Sequence, residues 1–348
     1  MSEAVRSEGY ARLVWRQFRR NRRAMASLYG IFALVLVAVF ADFIANEKPY
    51  VVTIDGRTYA PILVDYAVAT GVMQMPDALR NVDFTQLEAG AAWFPPIRYS
   101  PRRADLREEA FAPPSARHWF GTDQLGRDVA AGLVHGTRIS LTVGLVVVAI
   151  QLTIGVFLGG LAGYYGGVVD LALSRLFELM LAIPTFFLIL TVAAVLPPSI
   201  YNVMVILGLT GWVEIARLVR GESLQLRSLD FVTAAQSLGA SNLSIMSRHL
   251  LPNGLAPVLV SASFGVASAI LAESGLSFLG VGVPADLVTW GSILAVSQQN
   301  TFAWWLAVLP GFAIFFTVTA YNLVGDGLRD ALDPHLRGSV VVDPKDAS

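Results

Sequence analysis

Cysteine is absent from the 348 residues, which excludes disulfides and thiolate metal sites and leaves the redox compartment open. Lysine occurs only as Lys48 and Lys345, and neither lies in a G-x-x-x-x-G-K-[ST] pattern, so that nucleotide-phosphate loop is excluded. The histidines, His118, His135, His249 and His335, are scattered. With no carboxylate cluster beside them, no metal site is expected. A G-x-S-x-G elbow, an H-E-x-x-H helix and a carboxylate pair placed for hydrolysis are all missing. The expectation is a non-catalytic chain with no cofactor-binding residues. Its net charge of −1 argues for neither nucleic acid nor an acidic partner.

What the chain has is apolar length: 55% of residues are hydrophobic and 15% charged, and long apolar runs recur. This is the composition of an all-α polytopic membrane protein. Six segments qualify as spans, at residues 27–45, 139–163, 176–196, 200–218, 255–280 and 304–324. Each suffices, at about 1.5 Å per residue, to cross roughly 30 Å of hydrocarbon with some tilt. The fourth is the least apolar, because Glu214 and Arg217 sit in its last turns.

Ahead of the first span, residues 1–26 contain "RLVWRQFRRNRR". By the positive-inside rule the N-terminus is cytoplasmic. Alternation then makes 46–138 a periplasmic insert, 219–254 a large inner loop and 325–348 a cytoplasmic tail. Independently, the inner loop holds Arg220, Arg227 and Arg248 and the tail Arg329 and Arg337, whereas the short outer loops hold no Lys or Arg. An apolar run of about 20 residues with five further spans behind it favours an uncleaved first span over a signal peptide.

Within 46–138, "YVVTIDGRTYAPI" alternates Val52, Ile54 and Tyr59 around Asp55-Gly56, which predicts a small hairpin. Residues 123–133 read as a short amphipathic helix at the outer interface. The insert is either a solvated elaboration or a contact surface for an outer partner.

Gly155, Gly159, Gly160 and Gly163 form a small-xxx-small pattern suited to close helix packing. Pro184 and Pro310-Gly311 permit bends. Asp42 lies near an outer end, and Arg175 with Glu178, and Glu214 with Arg217, can pair at i, i+3. Glu273, well inside the fifth span, is a candidate for the translocation path, unless Ser274, Ser277 or a neighbouring helix satisfies it.

The inner loop carries "RSLDFVTAAQSLGASNLSIMSRHLLPNG". Ser228 or Asp230 suits an N-cap, Gly239 suits the left-handed end of a first helix, Ser241 can cap a second helix over 242–250, and Pro252 marks the start of the next span. Val232, Ala235 and Leu238 share one side of the first helix. The result is a helix-turn-helix that either rests on the bilayer and other loops or receives another protein.

This stretch resembles the "EAA" loop of bacterial ABC importer permeases, E-A-A-x-x-x-G-A-x-x-x-x-I followed by H-x-L-P-N. Ala234, Ala235, Gly239, Ala240, Ile245, His249, Leu251, Pro252 and Asn253 match, and Thr233 stands at the glutamate position. "GTDQLGRDVAAGLVHGTRISL", "GYYGGVVDLALSR", "GWVEIARLVRGESL", "ESGLSFLGVG", Trp290-Gly291 and "GDGLRDALDP" follow the order of the C-type permease of dipeptide, oligopeptide and nickel importers. "FIANEKPYVVTIDGRTYAPIL" and "PIRYS" are similar to the Yej-type branch of peptide and microcin C import.

The resemblance implies a type I ABC importer permease fold with six transmembrane helices in the bacterial inner membrane. It implies a homologous B-type permease, two ATPase subunits that bind the ATP, a periplasmic substrate-binding protein and a peptide substrate. The loop at 228–252 would then be the ATPase-coupling element. Thr233 cannot supply the charge of the family's glutamate, so a polar interaction made there is either weaker or moved onto Asp230 or Arg227. An ion-gradient-driven secondary transporter is the alternative, but it calls for repeated halves and ionisable or unwound segments at mid-membrane, and no convincing repeat is present. A scaffold or membrane enzyme lacks a visible constellation.

Overall fold

A computed structural model describes residues 10–54, 56–80, 82–84, 92–104, 110–282, 284 and 287–332. Five helices are long and apolar enough to cross a membrane: α2 (Arg22–Val39), α6 (Val129–Tyr165), α9 (Ile200–Arg227), α12 (Leu251–Phe278) and α14 (Trp305–Leu332). The pair α7 (Gly167–Ala182) and α8 (Thr185–Val195) supplies a sixth if it counts as one span. The chain divides into two compact units, one of Met1–Ile31, Val143–Leu271 and Phe316–Ser348, the other of Phe32–Thr142 and Ala272–Phe315.

In the first unit, α1 (Tyr10–Phe18) precedes α2, which starts five residues before the expected span because the Asn21 side chain accepts the Ala24 N–H at 3.1 Å, an N-cap. Phe18 and Ala24 pack with Val324 and Ala331 of α14. That helix continues through "GDGLRDAL", beyond the apolar segment at 304–324 and into the expected tail. Residues 333–348, with His335 and Arg337, lie outside the described residues.

The glycine pattern of α6 faces α9. A Cβ at Gly155 would lie 2.8 Å from the Ile215 side chain, one at Gly159 would land on the Ala216 carbonyl, and one at Gly163 would lie 2.5 Å from Ser223 Cβ. From the other side, Gly208 takes Ile150 and Gly211 takes Gln151. Gly160 points elsewhere, towards Met246 and Leu251 at ordinary contact distance. Phe177 of α7 stacks edge-on against Trp212 of α9, centroids 5.7 Å apart, and Asp170 of α7 pairs with Arg220 of α9.

The third and fourth expected spans change. The third span is not straight: α7 and α8 meet at 75°, because Pro184 pushes Ile183 into extended backbone (φ −86°, ψ 119°) and ends α7. The fourth does not stop at 218 but continues to Arg227, with Glu214 and Arg217 on its exposed side and unpaired with each other. Arg175 and Glu178 do pair, at 2.5 Å.

In the second unit, α2 ends at Val39 and a one-turn α3 (Ala41–Ile44) follows, which splits the expected 27–45 span. The hairpin forms as β1 (Val51–Ile54) and β2 (Arg57–Tyr59), with Val52 opposite Tyr59, and β3 (Ala92–Trp93) joins on the far side of β1. Asp55 itself lies outside the described residues. Val52, Leu79 and Phe84 form the core beneath, beside α4 (Pro61–Ala69) and α5 (Asp77–Arg80). Burial alone would push the Asp42 carboxyl up, but hydrogen bonds from Tyr66 and Arg138, at 2.5 and 2.8 Å, hold it below the ordinary carboxylate range.

No separate interfacial helix forms at 123–133: residues 123–128 are not helical, and 129–133 are the first turns of α6. Asp123 accepts the Leu125 and Arg127 N–H groups at 2.8 and 3.0 Å, Gly126 takes φ +70°, and Asp128 caps α6 through the Ala131 N–H at 2.7 Å. Local side-chain bonds thus outcompete the helix up to Val129. Gly121, at φ +75°, lies under Trp305, whose indole N–H bonds the Thr122 carbonyl.

The α6–α9 seam yields a direct expectation. Gly159→Leu forces the two backbones apart and belongs at or above the upper end of the roughly 1–3 kcal/mol typical of overpacking. The variant is expected to lose thermal stability in detergent and accumulate poorly, whereas Gly221→Ala, with open space beside it, keeps both; equal melting of the two variants would contradict the seam.

Candidate functional site: the loop between α9 and α12

The loop between α9 and α12 is built from α10 (Asp230–Ser237), α11 (Asn242–Ile245) and a π turn, Met246–Leu250, that feeds into α12. The expected Ser228 or Asp230 cap is not used: Leu229 occupies the N-cap without a side-chain bond, and Asp230 is the first helical residue. There its negative charge complements the positive end of the helix.

The end of α10 is a Schellman motif. Ala240 N–H bonds the Ala235 carbonyl at 3.1 Å, Gly239 N–H bonds the Gln236 carbonyl at 2.9 Å, and Gly239 sits at φ +79°. Nothing lies within 4 Å of the place its Cβ would occupy, so backbone conformation requires the glycine and packing within this chain does not. Ser241 caps α11 by accepting the Ser244 N–H at 3.3 Å. No break separates α11 from the next span, because the chain runs through the π turn into α12. That wider turn stands immediately before Pro252, which has no N–H and needs room at the carbonyl one turn back.

The motif residues divide by direction. Val232 and Ile245 are fully buried and pack with Leu250 and Tyr164, and half-buried Ala235 and Ala240 close the same cluster. Asp230, Thr233, Ala234, Gly239 and Pro252 are exposed. His249 lies in the π turn and Asn253 in α12, but their side chains fall outside the described residues. Leu238 does not join Val232: it is 88% exposed, because the Schellman turn swings it outward, and Leu243 beyond the turn is 76% exposed. Phe231 and Leu229 add further exposed apolar surface. The loop therefore has an inner face fastened to its own chain and an outer face of small, polar and apolar residues.

What fastens the inner face is not among the residues the loop motif singles out. Arg227 Nη1 donates to the Tyr164 carbonyl at 2.9 Å, and the guanidinium lies beside Gly166, at φ +65°, where a Cβ would meet it at 2.7 Å. Tyr164 hydroxyl donates to Asn242 Oδ1 at 2.8 Å. The run "GYYGG" carries the signal, since adjacent glycines at a helix end mark a backbone that something approaches closely. Arg227 is thus committed to its own chain, which leaves Asp230 as the exposed charge nearest Thr233 in sequence.

Glu273 is separate from the loop. It lies five residues before the end of α12, nearer a helix end than expected, and is fully buried. Ser277 Oγ donates to it at 2.6 Å, Ser274 Oγ lies at 3.5 Å, and the Thr289 hydroxyl also reaches it. Thr289 caps α13 (Trp290–Val296) in a capping box with Ser292, and Gly291 sits against the Ser274 carbonyl. Trp290 then inserts beside Gly136, its indole N–H on the Leu133 carbonyl at 3.1 Å. Within this chain Glu273 faces packed side chains, as in the reading that has Ser274 and Ser277 satisfy it.

Among the described residues no group of three or more His, Asp or Glu is placed to hold a metal. The family described as binding-protein-dependent transport system inner membrane component matches residues 155–338, and the N-terminal TM domain of oligopeptide transport permease C matches residues 9–62. The dipeptide transport system permease protein DppC of Bacillus subtilis is 34% identical over 95% of this chain and 88% of its own length. The inner membrane ABC transporter permease protein YejE of Escherichia coli is 34% identical over 92% of this chain and 96% of its own. The peptidoglycan transport system permease protein YejE of Agrobacterium fabrum is 33% identical over 92% of each. With the family match covering more than half of the chain, and these relatives nearly all of it, the chain belongs to the inner membrane components of binding-protein-dependent transport systems.

Proposed function

We propose that this chain is one permease subunit of an ATP-driven peptide importer of the inner membrane, forming half of the translocation pathway beside a homologous permease. Two ATPase subunits drive it, and a periplasmic binding protein delivers the peptide to its outer mouth. Both termini are cytoplasmic, and the insert between α2 and α6 faces the periplasm. The relatives named for dipeptide transport and the Yej-type permeases support a peptide substrate.

The observation that carries the coupling role is the division of the α10–α11 loop into an anchored and an exposed face. A coupling element must be stiffly joined to the spans it moves while offering a surface to the subunit that moves it. Val232, Ile245 and Leu250 supply the joint. Thr233, Ala234, Leu238, Gly239 and Leu243 supply a surface that small residues keep low and exposed leucines make adhesive. At the glutamate position Thr233 brings no charge, so apolar contact through Leu238 and Leu243 carries more of the docking. The subunit's role is non-catalytic, with ATP bound by the partners. Glu273 serves the pathway indirectly, by keeping α12 and the start of α13 together.

Gly239→Leu is expected to abolish peptide uptake and peptide-stimulated ATP hydrolysis in the reconstituted complex while the subunit still inserts. Gly239→Asn, which tolerates the left-handed conformation, retains a measurable fraction of both. Normal uptake in Gly239→Leu would remove the loop from coupling. Leu238→Asp with Leu243→Asp is expected to release the ATPase subunits on detergent purification, read as loss of co-elution, without lowering the yield of the permease itself. Glu273→Gln, which can keep the hydroxyl contacts, should transport normally, whereas Glu273→Leu should lower the melting temperature and transport together; a transport loss in Glu273→Gln at unchanged melting temperature would instead put the carboxyl in the mechanism.

A further inference from the structure

The insert contains a groove of about 330 Å³ lined by Pro96, Ile97, Arg98, Tyr99, Ala116, Arg117 and Trp119. Among the described residues its lining holds two guanidinium groups, three apolar side chains and two aromatic rings, and no carboxylate. The volume falls in the roughly 300–1,000 Å³ range of small-molecule sites. Arg98 lies over the Phe94 ring at 4.8 Å from its centroid, on the side of an adjoining cavity that Glu47 and Asp128 also line, and among the described residues it forms no ion pair with a carboxylate. Arg103, by contrast, is occupied by Glu47 and Asp83. Arg117 is held at the groove by its Nε–H bond to the Tyr99 hydroxyl at 3.2 Å.

An arginine seated on an aromatic ring loses little freedom when it binds, and its planar fork matches a carboxylate. Trp119, 54% exposed, offers a flat apolar wall in the same groove. A ligand that satisfies both is a small molecule with a free carboxylate beside an apolar group.

We propose that this groove is a subsite for the C-terminal carboxylate of a short peptide, with Arg98 as the anion anchor and Trp119 as the wall for the terminal side chain. The assignment rests on the reading of the chain as a peptide importer subunit. A groove on the insert would hold the peptide end near the outer mouth, so that small peptides with a free C-terminus are retained more than blocked ones.

Saturation-transfer NMR on the full-length chain in nanodiscs tests it, with alanyl-phenylalanine and its C-terminal amide as probes. The free acid is expected to bind at least tenfold more tightly than the amide. Arg98→Gln should remove at least tenfold of the acid's affinity, and Arg80→Gln, an exposed arginine outside the groove lining, none. Trp119→Ala should weaken alanyl-phenylalanine more than alanyl-alanine. Equal binding of acid and amide, or unchanged affinity in Arg98→Gln, overturns the subsite. Peptide uptake by the complete reconstituted complex is measured alongside: uptake of both probes with no binding at the groove rejects only the subsite, whereas no uptake of any peptide rejects the importer reading itself.

Discussion

The close approach of α6 and α9 is the constraint on which the first unit depends. Two α-helical backbones come this near only where side chains are missing, and here the gaps are reciprocal: Gly155, Gly159 and Gly163 on α6, Gly208 and Gly211 on α9. In lipid, burial from water adds no drive between helices, so van der Waals contact along such a seam supplies the adhesion. The seam also brings the end of α6 beside the end of α9. Tyr164 and Gly166 meet Arg227 there, and the loop is fastened at that point.

From that anchorage the loop inherits its stiffness. The Schellman turn at Gly239 fixes the angle between α10 and α11, the Tyr164 cluster holds one face of both, and the π turn passes α11 into α12 without a flexible joint. A force applied at Leu238 or Leu243 therefore meets a braced element. The second unit is braced by different means, through buried indoles hydrogen-bonded to backbone carbonyls and through carboxylates used as caps: Trp290 on Leu133, Trp305 on Thr122, Asp128 on Ala131.

Much of this is legible from the residues alone. Long apolar runs identify the spans, the small-xxx-small pattern identifies a packing face, and the Asp-Gly pair between alternating residues identifies the hairpin, because each depends on local periodicity or on one backbone preference. The failures share a physical cause. Hydropathy does not register polar helical turns that prolong a span, so α6, α9 and α14 all exceed the apolar segments that announce them. Residues 123–133 have helical periodicity, but the Asp123 carboxylate claims the Leu125 and Arg127 N–H groups, and helix begins only at Val129. Leu238 fits the buried stripe by spacing, and the turn at the next residue carries it outward.

The residues by themselves determined that the chain is a membrane protein with a helix-turn-helix between two spans, since apolar length, caps and a left-handed glycine are properties of short segments. Only the tertiary structure decided which motif residues face inward and which face out, because that depends on Tyr164 and Arg227, more than sixty positions apart. It likewise decided that Glu273 is met by serines and a threonine cap, that the glycine stripe of α6 meets α9, and that Arg98 stands over Phe94 beside a groove whose described lining holds no carboxylate. The approach of α6 to α9 and of Thr289 to Glu273 are contacts between distant segments, which no local pattern specifies.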